Sequence, residues 1–315
     1  MSKFRNARNF LTLGVSLSLA VGGVSAAPAV ADDGARHAQE AEARNLGKKG
    51  HHTLFGSTAQ RRNGKTYRQA LRRTDRKFGG VDVVRVFHSG LPDSWRKLRR
   101  DFGKRKMIVS FKADPKRVLA GTYDRRLKRW FRNAPPKRRT FWSYYHEPED
   151  NIETGDFTAR QYRRAWRHLD RLAAKAHNKK LRSTLVLMAW SLDPASDRRW
   201  KRYYAPKAVD VLGWDAYNHK VGNGGYLAPR KMFGRVARVS KRANRPFGVA
   251  ELGSFRAPSD NGRKRARWLR RTGRYLAKRN ASFVSYFDSD VVDGDFRLRD
   301  RRSRHAWRHV VNKIS

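Results

Sequence analysis

The sequence predicts a single (β/α)8 barrel, and three observations carry that expectation. Short β-branched or aromatic runs recur eight times between His52 and Phe287, and basic amphipathic segments separate them. The pattern fits within the roughly 250 residues typical of such barrels. Several runs carry few polar residues on either face, as parallel strands covered on both sides do. A doubly wound sheet would open with a glycine-rich phosphate loop, and neither G-x-G-x-x-G nor G-x-x-x-x-G-K-S/T follows any run.

In chain order the runs are His52–Ser57, Val81–Phe87, Met107–Lys112, Thr140–His146, Thr184–Trp190, Val209–Tyr217, Phe247–Leu252 and Phe283–Phe287. Branched and aromatic side chains favour strands because they fill a pleated, buried surface. Between them the helical period is clearest over Thr158–His177. There Tyr162, Ala165, Trp166, Leu169, Leu172, Ala173 and Ala176 form one apolar stripe. Thr158 followed three residues later by Gln161 predicts a capping box at its start. Arg265–Lys278 reads similarly, with Trp268, Leu269, Tyr275 and Leu276 on one side and bases on most of the rest. Arg and Lys form helices well, and their stems cover apolar surface.

The 315 residues include 39% apolar side chains with 9 Trp, 11 Tyr and 16 Phe, enough for a substantial core. The absence of Cys excludes disulfides and Cys-ligated metals. Lys and Arg number 73 against 27 Asp and Glu, a formal charge of +46. The N-terminus gives that charge its context. Lys3, Arg5 and Arg8 precede a mostly apolar run, Phe10–Val24, and small residues then lead to Ala29-Val30-Ala31 before Asp32-Asp33. This predicts a signal peptide over 1–31 with cleavage after an A-x-A site, then a flexible leader over 32–50 and the barrel over 51–315. No later segment is apolar enough to span a bilayer.

An exported protein, secreted or held at the cell wall, meets anionic wall polymers before nucleic acid, so the charge predicts a non-specific, salt-sensitive affinity for anionic cell-wall polymer. The bases are dispersed along the chain, and no helix-turn-helix, zinc finger or RNA-binding signature accompanies them, so no specific nucleic-acid partner is expected. No feature of the sequence sets an oligomeric state.

In a barrel, chemistry belongs at the C-terminal ends of the strands. The fourth run ends Tyr144-Tyr145-His146-Glu147-Pro148 and the seventh ends Ala250-Glu251-Leu252-Gly253. Alternation places Phe141, Ser143, Tyr145 and Glu147 on one face, and Phe247, Val249 and Glu251 on one face. A carboxylate closing an apolar strand is costly unless it is used or paired. Two of them facing across a barrel mouth are the minimal machinery for glycosidic cleavage, one protonating the leaving oxygen while the other attacks the anomeric carbon or activates water. Trp190, closing the fifth run, offers an indole face to a pyranose.

A Glu followed by Pro closing strand 4, with a Glu closing strand 7, resembles the large glycosidase clan of (β/α)8 barrels. The His146-Glu147 pair is similar to glycoside hydrolase family 26, the β-mannanase family. The resemblance implies a polysaccharide substrate, a retaining mechanism without cofactor or metal, Glu147 as acid/base and Glu251 as nucleophile. It implies that Tyr217, in Trp214-Asp215-Ala216-Tyr217-Asn218, orients the nucleophile, that His146 contacts substrate or positions Glu147, and that Arg85 lies beneath the nucleophile.

The chain departs from the family in two places. Strand 8 ends Tyr286-Phe287-Asp288 where the clan presents Trp, leaving Phe287 to face the sugar, and the tryptophan-rich loop after the acid/base is missing. A mannan preference therefore does not follow from the resemblance. A second reading, a wall- or polyanion-binding protein on a degenerate barrel, makes the charge its working feature. Asp288, Asp290, Asp293 and Asp295 miss the spacing of a calcium loop and read as acids paired with neighbouring arginines. His51-His52 and His146-x-x-Glu149 lack the second histidine of a zinc helix.

Overall fold

The structure is a computed structural model that describes residues 52–61, 64–219, 225–291 and 294–314. The signal peptide, its cleavage site, the leader, His51 and Asp293 lie outside the described residues.

Eight parallel strands close into a barrel in sequence order, the first pairing with the last. They are β1 (Leu54–Thr58), β2 (Val83–His88), β3 (Lys106–Phe111), β4 (Thr140–Tyr144), β5 (Leu181–Met188), β6 (Val211–Asn218), β7 (Phe247–Ser254) and β8 (Phe283–Tyr286). Around them lie α1 (Tyr67–Phe78), α2 (Trp95–Phe102), α3 (Pro115–Leu119), α4 (Asp124–Arg132), α5 (Glu149–Glu153), α6 (Ala159–Ala174), α7 (Pro229–Ala243), α8 (Arg263–Lys278) and α9 (Arg301–Lys313). The predicted fold class is the one observed.

The core has two layers. One apolar side chain from each strand meets in the barrel interior: Leu54, Val83, Ile108, Phe141, Val186, Val211, Ala250 and Phe283. The rings of Phe141 and Phe283 meet there with centroids 4.5 Å apart. Gly248 makes room for them, since a Cβ at that position would fall 2.3 Å from the Phe283 ring. Burying such a ring stabilises the fold by roughly 2–3 kcal/mol. The outer layer lies between sheet and helices and includes Trp95, Trp130, Trp142 and Trp166.

Helix α6 begins at the predicted capping box: the Thr158 hydroxyl accepts from the Gln161 amide, and the Gln161 side chain accepts from the Thr158 amide at 2.8 Å. It buries Tyr162, Ala165, Trp166, Leu169, Leu172 and Ala173, the stripe read from the period except Ala176, which follows the helix end and is half-buried.

The connection from β5 to β6 breaks the alternation. Residues 189–208 form four short 3₁₀ turns, Ala189–Leu192, Pro194–Ser196, Trp200–Arg202 and Pro206–Ala208, with no α-helix. Pro194 and Pro206 cannot donate within a helix, and each sits where a turn begins. Trp190 therefore lies in a turn two residues beyond the end of β5 instead of closing that strand.

Candidate active site

Glu251 reaches the barrel mouth through a bulge. Along β7, Phe247 and Val249 belong to the outer core and Ala250 to the barrel interior. Strict alternation would then turn Glu251 outward. The register instead slips between Val249 and Leu252, pairing Trp214 with Val249 and Asp215 with Glu251. The extra residue brings Glu251 back to the inner side. The expectation that Phe247, Val249 and Glu251 share one face is corrected accordingly.

Glu251 is 5% exposed, and its carboxylate is held from two sides. The Tyr217 hydroxyl donates to its Oε2, and Arg85 Nη2 lies 3.5 Å from its Oε1. Burial and the neighbouring carboxylates Glu251 and Asp215 push the Tyr217 phenol well above its ordinary range, so it stays a neutral donor. Arg85 is completely buried. Its Nη1 donates to the Ser110 hydroxyl, and its guanidinium lies 4.3 Å from the centroid of the Phe87 ring. These contacts from β2 and β3 fix the cation beneath the carboxylate.

Glu147 follows the end of β4 through two left-handed residues, Tyr145 (φ 46°) and Glu147 itself (φ 49°). Non-glycine residues there cost of order 1–3 kcal/mol each, strain that folds hold mainly at functional positions. Two barrel hydrogen bonds hold the turn, from the Tyr145 amide to Phe111 O at 2.8 Å and from the Glu147 amide to Val186 O at 2.9 Å. The pleat ends at Tyr144, and Tyr145 packs outside on Phe157, ring centroids 4.7 Å apart. Tyr145 thus leaves the face on which alternation placed it with Glu147.

Burial, and after it the charges of Glu251 and Glu149, push the Glu147 carboxyl up to about 8, against the opposing pull of Lys112 and Arg85. One carboxylate thus faces a cation and a hydroxyl donor, while its neighbour retains a proton at neutral pH. Such a pair can donate a proton and supply a negative charge at one place.

The other sequence-predicted residues surround the pair. His146 lies beside Phe87, ring centroids 5.5 Å apart, and burial with the nearby Arg85 and Lys112 charges holds it well below the usual imidazole range, so it is neutral. Phe287 meets the Tyr217 ring edge-on at 5.8 Å. Trp190 is 52% exposed, so its indole lies outside the core.

The sequence reading missed two acids. Asp215 is buried next to Glu251 in the strand register, and its oxygens accept no hydrogen bond among the described residues. Burial and the Glu251 and Glu147 charges push it well above the ordinary carboxylate range. It stands two residues before Tyr217 on β6, so alternation would have placed both on one face. Glu149 is fully buried, and its Oε1 accepts from the Met188 amide and the Ser191 hydroxyl, both at 2.8 Å. It joins the Glu147 loop to the turn carrying Trp190, and burial pushes its carboxyl up to about 7. No sequence signal singles it out from the acids that follow.

The acidic run near the C-terminus is bound to bases: Asp288 to Lys77 at 2.6 Å, Asp290 to Arg297 at 2.7 Å, and Asp295 to Arg297 and Arg299 at 2.7 Å each. Among the described residues, no group of three or more His, Asp or Glu is arranged to hold a metal ion, and no helix is long and apolar enough to cross a membrane.

No protein-family model and no curated protein matches the sequence. Solved structures match its fold. A GH26 β-mannanase from Bacteroides ovatus is 14% identical with a TM-score of 0.53, over 89% of this chain and 93% of that one. The chain shares its fold with GH26 β-mannanases. A GH26C structure from a Muricauda species matches at 13% identity and TM-score 0.56 over 89% and 90% of the two chains. The GH26 domain of an endo-β-mannanase/endo-β-glucanase from Prevotella bryantii matches at 11% and 0.57 over 87% and 92%.

Proposed function

We propose that this protein is an exported glycoside hydrolase that cleaves a β-linked polysaccharide, a mannan or related β-glycan, with retention of configuration. Glu251 attacks the anomeric carbon, and Glu147 protonates the leaving oxygen and then activates water. The observation that carries the reading is the opposed treatment of the two acids: Glu251 is ion-paired to Arg85 and hydrogen-bonded by Tyr217, whereas the Glu147 carboxyl sits at about 8. The β-mannanase neighbours of the fold support mannan as the first substrate to try. The test is release of reducing sugar by the purified chain from mannan, mixed-linkage glucan, xylan and bacterial wall polymers. Failure on all of them would defeat the proposal.

The pH profile checks the acid directly. The first step needs protonated Glu147, so kcat/KM should fall on the alkaline side through about pH 8. Stability moves in the same direction. A carboxyl whose proton affinity is raised by folding binds a proton that the unfolded chain has already released, so native stability declines as pH rises above the unfolded value and through about 8. Glu147→Gln cannot ionise, so it should remove the alkaline limb of kcat/KM and only its own share of the stability trend, to which raised Asp215 and Glu149 also contribute. An unchanged alkaline limb in that variant would assign it to another group.

Trp190 reads as a sugar platform on a turn pinned by Glu149. Trp190→Ala should raise KM for polymer by about tenfold, the loss of one stacking contact of about 1–1.5 kcal/mol, with little change in turnover of short aryl glycosides. Glu149→Ala frees the same turn and should raise KM similarly. In the double variant the effects should not add. Full additivity would show that Glu149 acts elsewhere.

A further inference from the structure

Outside the barrel, the starts of α8 and α9 line a cleft of about 760 Å³ whose walls are Asn261, Arg263, Ala266, Arg270, Asp300, Arg301, Arg302 and His305. Arg263, Ala266 and Arg270 recur at the spacing of one face of α8, and Arg301, Arg302 and His305 lie within one turn of α9. Gly262 brings the two starts together. Its φ of 93° suits glycine, and a Cβ there would fall 2.1 Å from Asp300 Oδ1.

The charge of this cleft is not neutralised from within. Asp300 is its one acid, and it is already committed, capping Ser303 at 2.7 Å and pairing with buried Arg265 at 2.6 Å. The backbone donors at the start of α8 are committed as well, since Asp260 accepts from the amides of Gly262, Lys264 and Arg265. Four guanidiniums therefore line an open cavity in which the local carboxylates serve the helix ends.

We propose that this cleft is a binding site for an anionic polysaccharide, separate from the barrel mouth. Guanidiniums form bidentate, charge-assisted hydrogen bonds to phosphate or carboxylate oxygens, and four of them suit repeated oxyanions along a chain. The lining offers no aromatic platform beyond His305, whereas single-stranded nucleic acid is held largely by stacking on aromatic rings. The site concentrates, at one place, an affinity that composition alone spreads over the whole surface. It does not depend on the glycosidase reading.

The experiment compares two variants of equal net charge. In one, Arg263, Arg270, Arg301 and Arg302 become Gln. In the other, the exposed Arg160, Arg164, Arg167 and Arg171 of α6 become Gln. Binding is measured at about 0.1 M salt, where distant surface charges are largely screened. The probes are phosphomannan, polygalacturonate, neutral galactomannan, and single- and double-stranded DNA. The cleft variant should bind one or both anionic polysaccharides about a hundredfold more weakly, as expected for losing charge-assisted bonds from at least two arginines, while the α6 variant keeps its affinity. The first two probes distinguish phosphate from carboxylate as the group recognised. Equal losses in the two variants, or no binding of either anionic polysaccharide by the parent chain, would overturn the site. Tighter, cleft-dependent binding of DNA would overturn its assignment to polysaccharide. Circular dichroism and thermal melting verify that both variants fold.

Discussion

Replacing Glu251 by alanine is expected to lower kcat by about 10⁴-fold or more on every substrate, because no glycosyl-enzyme can form without the nucleophile. Glu147→Ala should behave differently. Hydrolysis of polysaccharide should fall by about 10²–10⁴-fold, the usual worth of a general acid. Aryl glycosides with highly acidic phenol leaving groups should still complete the first step. The glycosyl-enzyme should then accumulate, and added azide should restore turnover by attacking it without a general base. The asymmetry follows from the electrostatics of the mouth. The Glu251 charge helps hold the proton on Glu147, and it disappears when Glu251 becomes an ester, so Glu147 can act as base in the second step. Retention requires the carboxyl groups to stand about 5–5.5 Å apart, and inversion about 6.5–9.5 Å. The anomer first released, followed by NMR, distinguishes the two. Equal, mild losses in both variants would remove these residues from the chemistry.

The barrel was legible because its strands are buried on both faces, which turns each into an unbroken apolar run whatever the register. Helix α6 was legible from a local signal, the Thr158 and Gln161 capping box, which spans four residues of sequence. Features that depend on tertiary context were not. Pro194 and Pro206 mark turns in any setting, but that the whole β5–β6 connection would lack an α-helix is settled by packing. The bulge in β7 leaves no trace in the run Val249-Ala250-Glu251, so alternation assigned Glu251 to the face of Val249 although the two point to opposite sides of the sheet.

The surroundings of the site divide in the same way. Asp215 was within reach of the period-two rule through Tyr217, and the acid nearest Glu251 in register is therefore information the sequence held. Glu149 was not. In Glu149-Asp150 it reads as one of two solvated acids, and only the fold, by bringing Ser191 and Met188 onto it, makes it a buried link between two loops. The large positive charge pointed to anionic partners. It could not say that four of those bases would gather where two helix starts meet.

Replacing Arg85 by methionine should be the most damaging change that leaves both carboxylates in place. The guanidinium is wholly buried and faces Glu251, and it also opposes the upward push on Glu147 and Asp215. Removing one partner of such a buried pair costs about 3–5 kcal/mol, because the remaining charge is stranded. The stranded acids can escape the penalty only by taking up protons. Folded-state proton affinity then rises above the unfolded value, so the added instability should be small near pH 4–5 and grow as pH rises through neutrality, the sign set by a raised carboxylate pKa. Protonation would also quench the nucleophile, so kcat should fall by about 10²-fold or more even where the variant is folded. Tyr217→Phe removes one donor to the same carboxylate and should cost less, about 1.5–3 kcal/mol in the anion's stabilisation, without the steep pH dependence of stability. Adding Glu251→Gln to Arg85→Met removes the principal stranded charge and should recover much of the lost stability at pH 8, a coupling that thermal denaturation of the four members of the cycle measures. A loss in Arg85→Met that is the same at pH 5 and pH 8, and that Glu251→Gln does not relieve, would mean that Arg85 serves the barrel as packing and is not the counterion on which Glu251 depends.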